Sequence, residues 1–345
     1  MAVAWHNRAE LRTAGVQELR EHRAAGTLAR RRDAPVRVGP DGRARGGFHV
    51  CLTARGLAEA RNVPVARVLA DDGVRWLDET ARIWGISPVV GGLIDRCFEQ
   101  VPAAEAADFA VAAAEAIPVG GDLGRVPARW VVDLLADHEG GGAHGVLGRT
   151  DPGSPQHSAV ARVLRLYTRK LAGETIAVEE WRAAALAAQE ASDQANAATP
   201  AGPPTTATAT AYAAAAAYAP DALPVEVRAA AWRASVDLPD QTAAAAYQAV
   251  HLESEALAQA AHYAVNTVEA VADAAFRRAF APIEDAANRA RAAERAGRVP
   301  EQADADAAAR ARAAADRGVA AVTDYHRWQA RLLVRHLAQA PTARP

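Results

Sequence analysis

The order of apolar and polar residues predicts helix along most of the chain. Apolar positions recur at helical spacing from Ala4 to Gly26, through short segments between Ala54 and Ala136, and from about His157 to Leu171. This spacing is typical of helices that bury one face. The clear exception is RRRDAPVRVGPDGRARGGFHV, in which Pro40-Asp41-Gly42 predicts the turn of a short β-hairpin.

The second half of the chain continues the helical pattern. Residues 174–198 form a predicted helix anchored by Trp181, and the last strongly amphipathic segment runs from Asp324 to Leu337. The run TPAGPPTTATATA between them has the composition of a linker. We therefore predict an all-α protein, a multi-helix bundle or helical layer with a small N-terminal β-hairpin.

These patterns divide the chain into four predicted parts. They are a basic N-terminal segment with the hairpin at 1–70, a helical domain at 71–198, a flexible linker or loop at 199–211, and an alanine-rich helical bundle at 212–340. In an alternative division, the last part is continuous with residues 157–198.

The composition indicates a folded protein with a thin core. Hydrophobic residues make up 50% of the chain but aromatic residues only 5%, since much of the apolar content is alanine. A net charge of −2 and seven tryptophans spread through the helical segments argue against disorder. Such helices are expected to lean on sparse aromatic and leucine anchors.

Compartment and partners follow from a few simple observations. Two isolated cysteines without a disulfide framework favour a reducing cytoplasm, and the first residues lack the apolar region of a signal peptide. The longest uncharged stretch, 194–220, is interrupted by prolines and is not expected to span a membrane. Charge is segmented, from +7 over 1–70 to −8 over 71–140, which is consistent either with contact between these parts of the chain or with a first segment that binds a polyanion.

The sharpest local pattern is LAEARNVPVARVL at 57–69. It resembles the helix-turn-helix of bacterial transcription regulators, with Ala58 at the helix crossing, Asn62 at the left-handed turn position, and Val63 and Val68 in the small core. The resemblance implies DNA binding. Yet the second helix begins Pro64-Val65-Ala66, and none of these side chains can hydrogen-bond a base.

A DNA-associated function would therefore use the arginines of this region to contact phosphates. Those arginines are candidate nucleic-acid-binding residues: Arg30, Arg31, Arg32, Arg37, Arg43, Arg45 and Arg67.

Two further sets of residues are candidate ligands for metal or substrate. His251, Glu255, His262 and Glu269 lie at steps that keep them on one helix face, where carboxylates and imidazoles can bind metal. No Glu-x-x-His pair accompanies them, and a solvated face is the alternative. His138, His144 and His157 flank or lie in a glycine-rich segment that resembles no known phosphate-binding loop; a surface loop is the alternative there.

The stretch from Leu93 through AIPVGGDLGRVPARWVVDLL, with the Ala- and Trp-rich remainder, is similar to uncharacterised bacterial proteins of the same layout. That resemblance implies the fold and no activity. Without a complete catalytic motif, we expect a non-enzymatic helical interaction module, adaptor-like or immunity-like, that binds a protein partner or its own copy and needs no cofactor. A DNA-associated protein and a metal-dependent helical-bundle enzyme are the alternatives.

Overall fold

The computed structural model describes residues 3–137 apart from 31, 32, 34 and 40, residues 145–191 with gaps, short pieces between 289 and 302, and residues 324–342 apart from 325. The predicted fold class is confirmed. The elements, after a short turn at Ala4–Asn7, are α1 (Ala9–Ala24), β1 (Arg37–Val38), β2 (Ala44–Arg45), α2 (Phe48–Arg61), α3 (Val65–Leu69), α4 (Trp76–Trp84), α5 (Pro88–Gln100), α6 (Ala103–Ala116), α7 (Val126–Ala136) and α8 (Pro155–Leu171). A C-terminal helix covers residues 326–338.

One hydrophobic core joins all these helices except α3. It extends from Trp5 near the start of the chain to Leu337 in the C-terminal helix. The aromatic anchors predicted from the sequence lie in it, and the ring of Trp181 packs edge-on against Tyr167 at a centroid distance of 5.2 Å. Large aromatic rings supply the buried area that alanine cannot.

The start of the chain adopts a left-handed turn rather than the helix predicted from Ala4. Trp5, His6 and Asn7 have φ values of 55°, 47° and 57°, a conformation that costs an L-residue roughly 1–2 kcal/mol. Three interactions of Trp5 offset this conformational cost. Its side chain is completely buried, its indole N–H donates to the carbonyl of Ile117 at 3.1 Å, and its ring packs edge-on against Trp84. A regular helix begins only at Ala9.

Both ends of the described chain bind to one loop, residues 117–122, which we call the junction loop. The N–H of Ala4 donates to Gly121 and the carbonyl of Ala4 accepts from Gly120, each at 3.0 Å. From the other end, the carbonyl of Pro341 accepts from Asp122 at 2.8 Å. The junction loop thus connects the first and last described residues through backbone hydrogen bonds.

The C-terminal helix packs against α7. The indole of Trp130 donates to the carbonyl of Gln329 at 3.3 Å, and Asp133 lies 3.0 Å from Arg335 and 2.9 Å from His336. The leucines of this helix are buried. The apolar face of the amphipathic segment predicted between Asp324 and Leu337 is therefore covered within the chain.

Helix α2 starts earlier than the pattern predicts. It begins at Phe48 rather than Ala54, and it continues through Gly56. Residues 48–54 are buried all round, so they show no alternation of apolar and polar positions. A buried network of His49, Thr53 and Thr80 joins α2 to α4, and the His49 ring nitrogen Nε2 lies 2.9 Å from the carbonyl oxygen of Gly91 in α5.

Two glycines are expected to respond to alanine in opposite ways: Gly85 lies in a left-handed turn, and Gly92 lies inside helix α5. Gly85 has φ 69°, and a Cβ there would lie 2.5 Å from the carbonyl oxygen of Val3. We expect Gly85→Ala to lower the free energy of unfolding by at least ~2 kcal/mol, because the backbone conformation alone costs alanine about 1–2 kcal/mol. Gly92→Ala, inside α5 with open space at its Cβ, should raise it by about 0.5–1 kcal/mol. Urea unfolding of both variants measures the difference, and equal effects would contradict the described packing.

Candidate functional site

The turn between α2 and α3 has the helix-turn-helix geometry predicted from the sequence. Asn62 ends α2 with φ 51° and ψ 48°, and Ala58 and Val68 are buried between the two helices. Asparagine adopts this left-handed conformation with less strain than most residues. Val63 departs from the prediction, because it is 37% exposed and lies outside the small core.

The second helix of this pair is poorly suited to reading bases. It has only five residues, and the exposed side chains around it include Pro64, Ala66 and Ala70. Arg61, at the end of α2, already lies 2.9 Å from Asp71 and 3.7 Å from Glu79. Acidic residues thus offset the positive charge where DNA phosphates would approach.

A second helix pair of the same kind follows directly, and sequence reasoning did not identify it. Helices α4 and α5 are joined by left-handed Gly85, and the hydroxyl of Ser87 caps α5 by accepting from the N–H of Val90. Every residue of α5 is buried or half-buried. This pair therefore builds the core and presents no exposed helix.

The predicted arginines that the structure describes differ in burial: one is buried in the protein and others face water. Arg30 is buried: it forms two hydrogen bonds with Asp33 and donates to the carbonyl of Val101 at 2.7 Å. Arg43 lies 2.6 Å from Glu21. Arg31 and Arg32 lie outside the described residues. The nucleic-acid assignment stays a prediction, and Arg30 is engaged elsewhere.

The remaining predicted arginines lie on the hairpin and on α3; Arg37 and Arg67 are exposed, and Arg45 is half-buried. Arg37 and Arg45 are directly opposite each other across the two strands, and Arg67 is exposed on α3, against which the hairpin packs. On the other face of the hairpin, Ala44 is buried against Val50 of α2. None of the three arginines has an ion pair with another described residue.

The same region exposes apolar side chains. Val36 and Val38 are 40% and 37% exposed, and Val63 at the α2–α3 turn is 37% exposed. Within the described residues these are the large hydrophobic side chains that face water. We call the exposed residues Val36, Arg37, Val38, Val63 and Arg67 the hairpin surface; Val38 shares a face of the hairpin with Ala44, and Arg37 lies with Arg45 on the opposite face.

Of the other predicted ligands, only His157 lies among the described residues. His251, Glu255, His262 and Glu269, and also His138 and His144, lie outside the described residues. His157 lies in the first turn of α8, where its N–H donates to the hydroxyl of Ser154 at 3.0 Å and confirms the predicted start of that helix. Within the parts of the chain that the structure describes, no three His, Cys, Asp or Glu side chains are grouped as metal ligands would be.

A polar cavity behind the hairpin was not predicted from the sequence. It measures about 250 Å³ and lies between α1, the hairpin turn, α2 and the start of α3. Its lining residues are Glu18, His22, Asp41, Gly42, Arg43, Ala44, Arg55 and Val65. Glu18 and His22 are four residues apart on α1, a spacing that places them on one helix face.

The charged side chains of the cavity hold one another in place. Glu18 lies 3.3 Å from both His22 and Arg55, and Nδ1 of His22 is 2.6 Å from the hydroxyl of Thr27. Burial raises the pKa of Glu18, but its interactions with His22, Arg55 and Arg43 outweigh burial and hold that pKa below its ordinary value of 4.5. The carboxylate is therefore charged at neutral pH.

Neither cysteine is suited to nucleophilic catalysis. Burial raises the pKa of both Cys51 and Cys97 to about 12, and the thiol of Cys51 donates to the carbonyl of Gly46 at 3.3 Å. The reactive species of cysteine is the thiolate.

The comparisons with known proteins identify no relative. The chain matches no protein-family model, no curated protein and no solved structure. None of the helices that the structure describes is both long and apolar enough to cross a bilayer. The function must therefore be argued from the geometry of the chain itself.

Buried thiols predict slow chemistry. We expect Cys51 and Cys97 of the native protein to resist a thiol reagent such as DTNB for many minutes, because the thiolate fraction at pH 8 is small and access is closed. In guanidinium chloride both should react within the mixing time. Rapid labelling of the native protein would contradict the described burial.

The Glu18 ion pairs predict a pH dependence of stability. A lowered pKa in the folded state stabilises the protein above the unfolded pKa and is lost as the pH falls through the folded value. We expect Glu18→Gln to lower the free energy of unfolding by about 1–3 kcal/mol at pH 7, and the difference from wild type should shrink below about pH 4. Asp108→Asn, at a side chain 71% exposed, is the control and should show no such convergence.

Proposed function

We propose that the chain is a non-enzymatic interaction protein that binds an acidic protein partner through the hairpin surface. The observation that carries the proposal is the coincidence of exposed valines and exposed arginines on two elements in contact, the hairpin and α3 with its preceding turn. Apolar patches edged by charge are typical of protein interfaces.

The valines support a docked partner. Val38 is the last residue of β1, and Val36 lies directly before that strand. The face of the hairpin that carries Val38 also carries Ala44, which packs against α2, and Val63 is exposed at the turn after α2. A partner that covers these three side chains removes apolar surface from water.

The arginines support an acidic partner. Like charges directly opposite in a hairpin destabilise it, yet Arg37 faces Arg45. Aspartate or glutamate side chains of a partner would relieve that repulsion. The surface therefore fits a protein segment that carries both acidic and apolar side chains.

A reversed charge and a lost valine provide the test. We expect Val38→Glu and Arg37→Glu each to reduce capture of partner proteins from a lysate of the source cells by tenfold or more in quantitative mass spectrometry, because acidic side chains there repel the acidic partner. The control is Arg23→Glu on α1, whose side chain is 46% exposed and paired with Asp108 away from the hairpin. Circular dichroism verifies that all variants are folded.

Two results would contradict this proposal. One is a wild-type protein that purifies as a monodisperse monomer and enriches no protein above an empty affinity resin. The other is undiminished capture by both hairpin variants.

A second candidate is binding of duplex DNA, favoured by the left-handed Asn62 and the helix-turn-helix packing of Ala58 and Val68. Contacts would be to phosphates, through Arg37, Arg45 and Arg67. The logarithm of the affinity for a random-sequence duplex should then fall with the logarithm of salt concentration with a slope of roughly −3, about −0.9 for each phosphate. Combining Arg37→Gln, Arg45→Gln and Arg67→Gln in one variant should abolish DNA binding. Binding that does not change with salt concentration would exclude this candidate.

A further inference from the structure

We propose that the cavity behind the hairpin binds a small aliphatic α-amino acid. The cavity is partly open and brings acidic, basic and apolar side chains together. An amino acid carries the three complementary groups on a single carbon atom. This inference does not depend on the hairpin surface as a docking site, since none of the five residues of that surface lines the cavity.

The acidic side would receive the ammonium group. The Glu18 side chain is only 12% exposed, and its Oε1 is buried without a hydrogen bond, although Nε2 of His22 lies 3.3 Å away. Asp41 lines the same cavity. A buried carboxylate oxygen without a donor is costly, and an ammonium group supplies three donors.

The basic side would receive the carboxylate. Nη2 of Arg43 lies 2.6 Å from Glu21 and its Nε 3.5 Å from Asp41, whereas its Nη1 is buried and has no acceptor among the described residues. Arg55 uses Nη1 for Glu18 and Nε for Glu59, which leaves Nη2. Guanidinium groups bind carboxylates through just such remaining N–H groups.

The apolar wall limits the side chain of the ligand. Val65 and Ala44 line the cavity beside the charged groups, and they match a short aliphatic chain better than a polar one. A volume of about 250 Å³ exceeds by far the roughly 10–15 Å³ that one water needs. This volume has room for a small amino acid such as alanine or valine.

The probe for the test is L-valine, added to the full chain and followed by isothermal titration calorimetry and by NMR chemical shifts. We expect saturable binding at micromolar to millimolar concentration. Isovalerate, which lacks the ammonium group, and isobutylamine, which lacks the carboxylate, should each bind at least tenfold more weakly than L-valine.

Two substitutions connect binding to the cavity. Arg43→Gln removes the buried Nη1, and Arg55→Gln removes a guanidinium that is 57% exposed and so risks little of the fold. Each should weaken L-valine binding at least tenfold. The matched control is Arg20→Gln, on α1 but paired with Glu115 outside the cavity, which should bind as wild type does.

The following outcomes would overturn the proposal. They are the absence of saturable binding, equal affinity for L-valine and isovalerate, which would indicate a simple anion site, and L-valine binding that survives both Arg43→Gln and Arg55→Gln. If the wild-type protein captures no partner but still binds L-valine, only the proposed interaction function is rejected.

Discussion

The fold depends on the hydrogen bonds of the junction loop, residues 117–122, to both ends of the described chain. Ala4 pairs with Gly120 and Gly121 on one side, and Pro341 pairs with Asp122 on the other. Trp5 adds its indole hydrogen bond to Ile117 and fills the space beside Gly15, where a Cβ would lie 2.7 Å from the ring. An alanine-rich core supplies little buried area per residue, so a few large rings and closed backbone contacts must hold the helices together.

This arrangement explains which parts of the fold the sequence predicts. Helices with an exposed face, such as α8 after its Ser154 cap, follow directly from periodicity and capping. The early start of α2 and the left-handed turn at Trp5 do not, because fully buried residues lose their alternation and because the turn is stabilised by glycines distant in sequence. The partner of the C-terminal helix is likewise invisible in the sequence, since the amphipathic pattern shows that a face is covered but not by what.

The same distinction applies to the candidate sites. The left-handed Asn62 follows from residue type at a turn, and the structure confirms it. The cavity behind the hairpin brings together Glu18, Asp41, Arg43 and Arg55 from three elements, and no local spacing announces such a set. Conversely, the seven predicted arginines shared only their charge, and geometry separates Arg30, which is buried on Asp33, from Arg37 and Arg67, which face water.

Helix-turn-helix geometry alone therefore does not decide between DNA and protein as the partner. The same left-handed turn occurs at Asn62 and at Gly85, yet the helix after Gly85 is enclosed by the core and the helix after Asn62 has only five residues. In both places the turn serves first to pack short helices closely, which alanine-rich helices need. The hairpin surface differs from both turns because Arg37 lies directly opposite Arg45 and Val38 is exposed to water. No described residue offsets the charge repulsion or covers the valine. Repelling charges and exposed apolar side chains indicate a binding surface more directly than the shape of the neighbouring turn does.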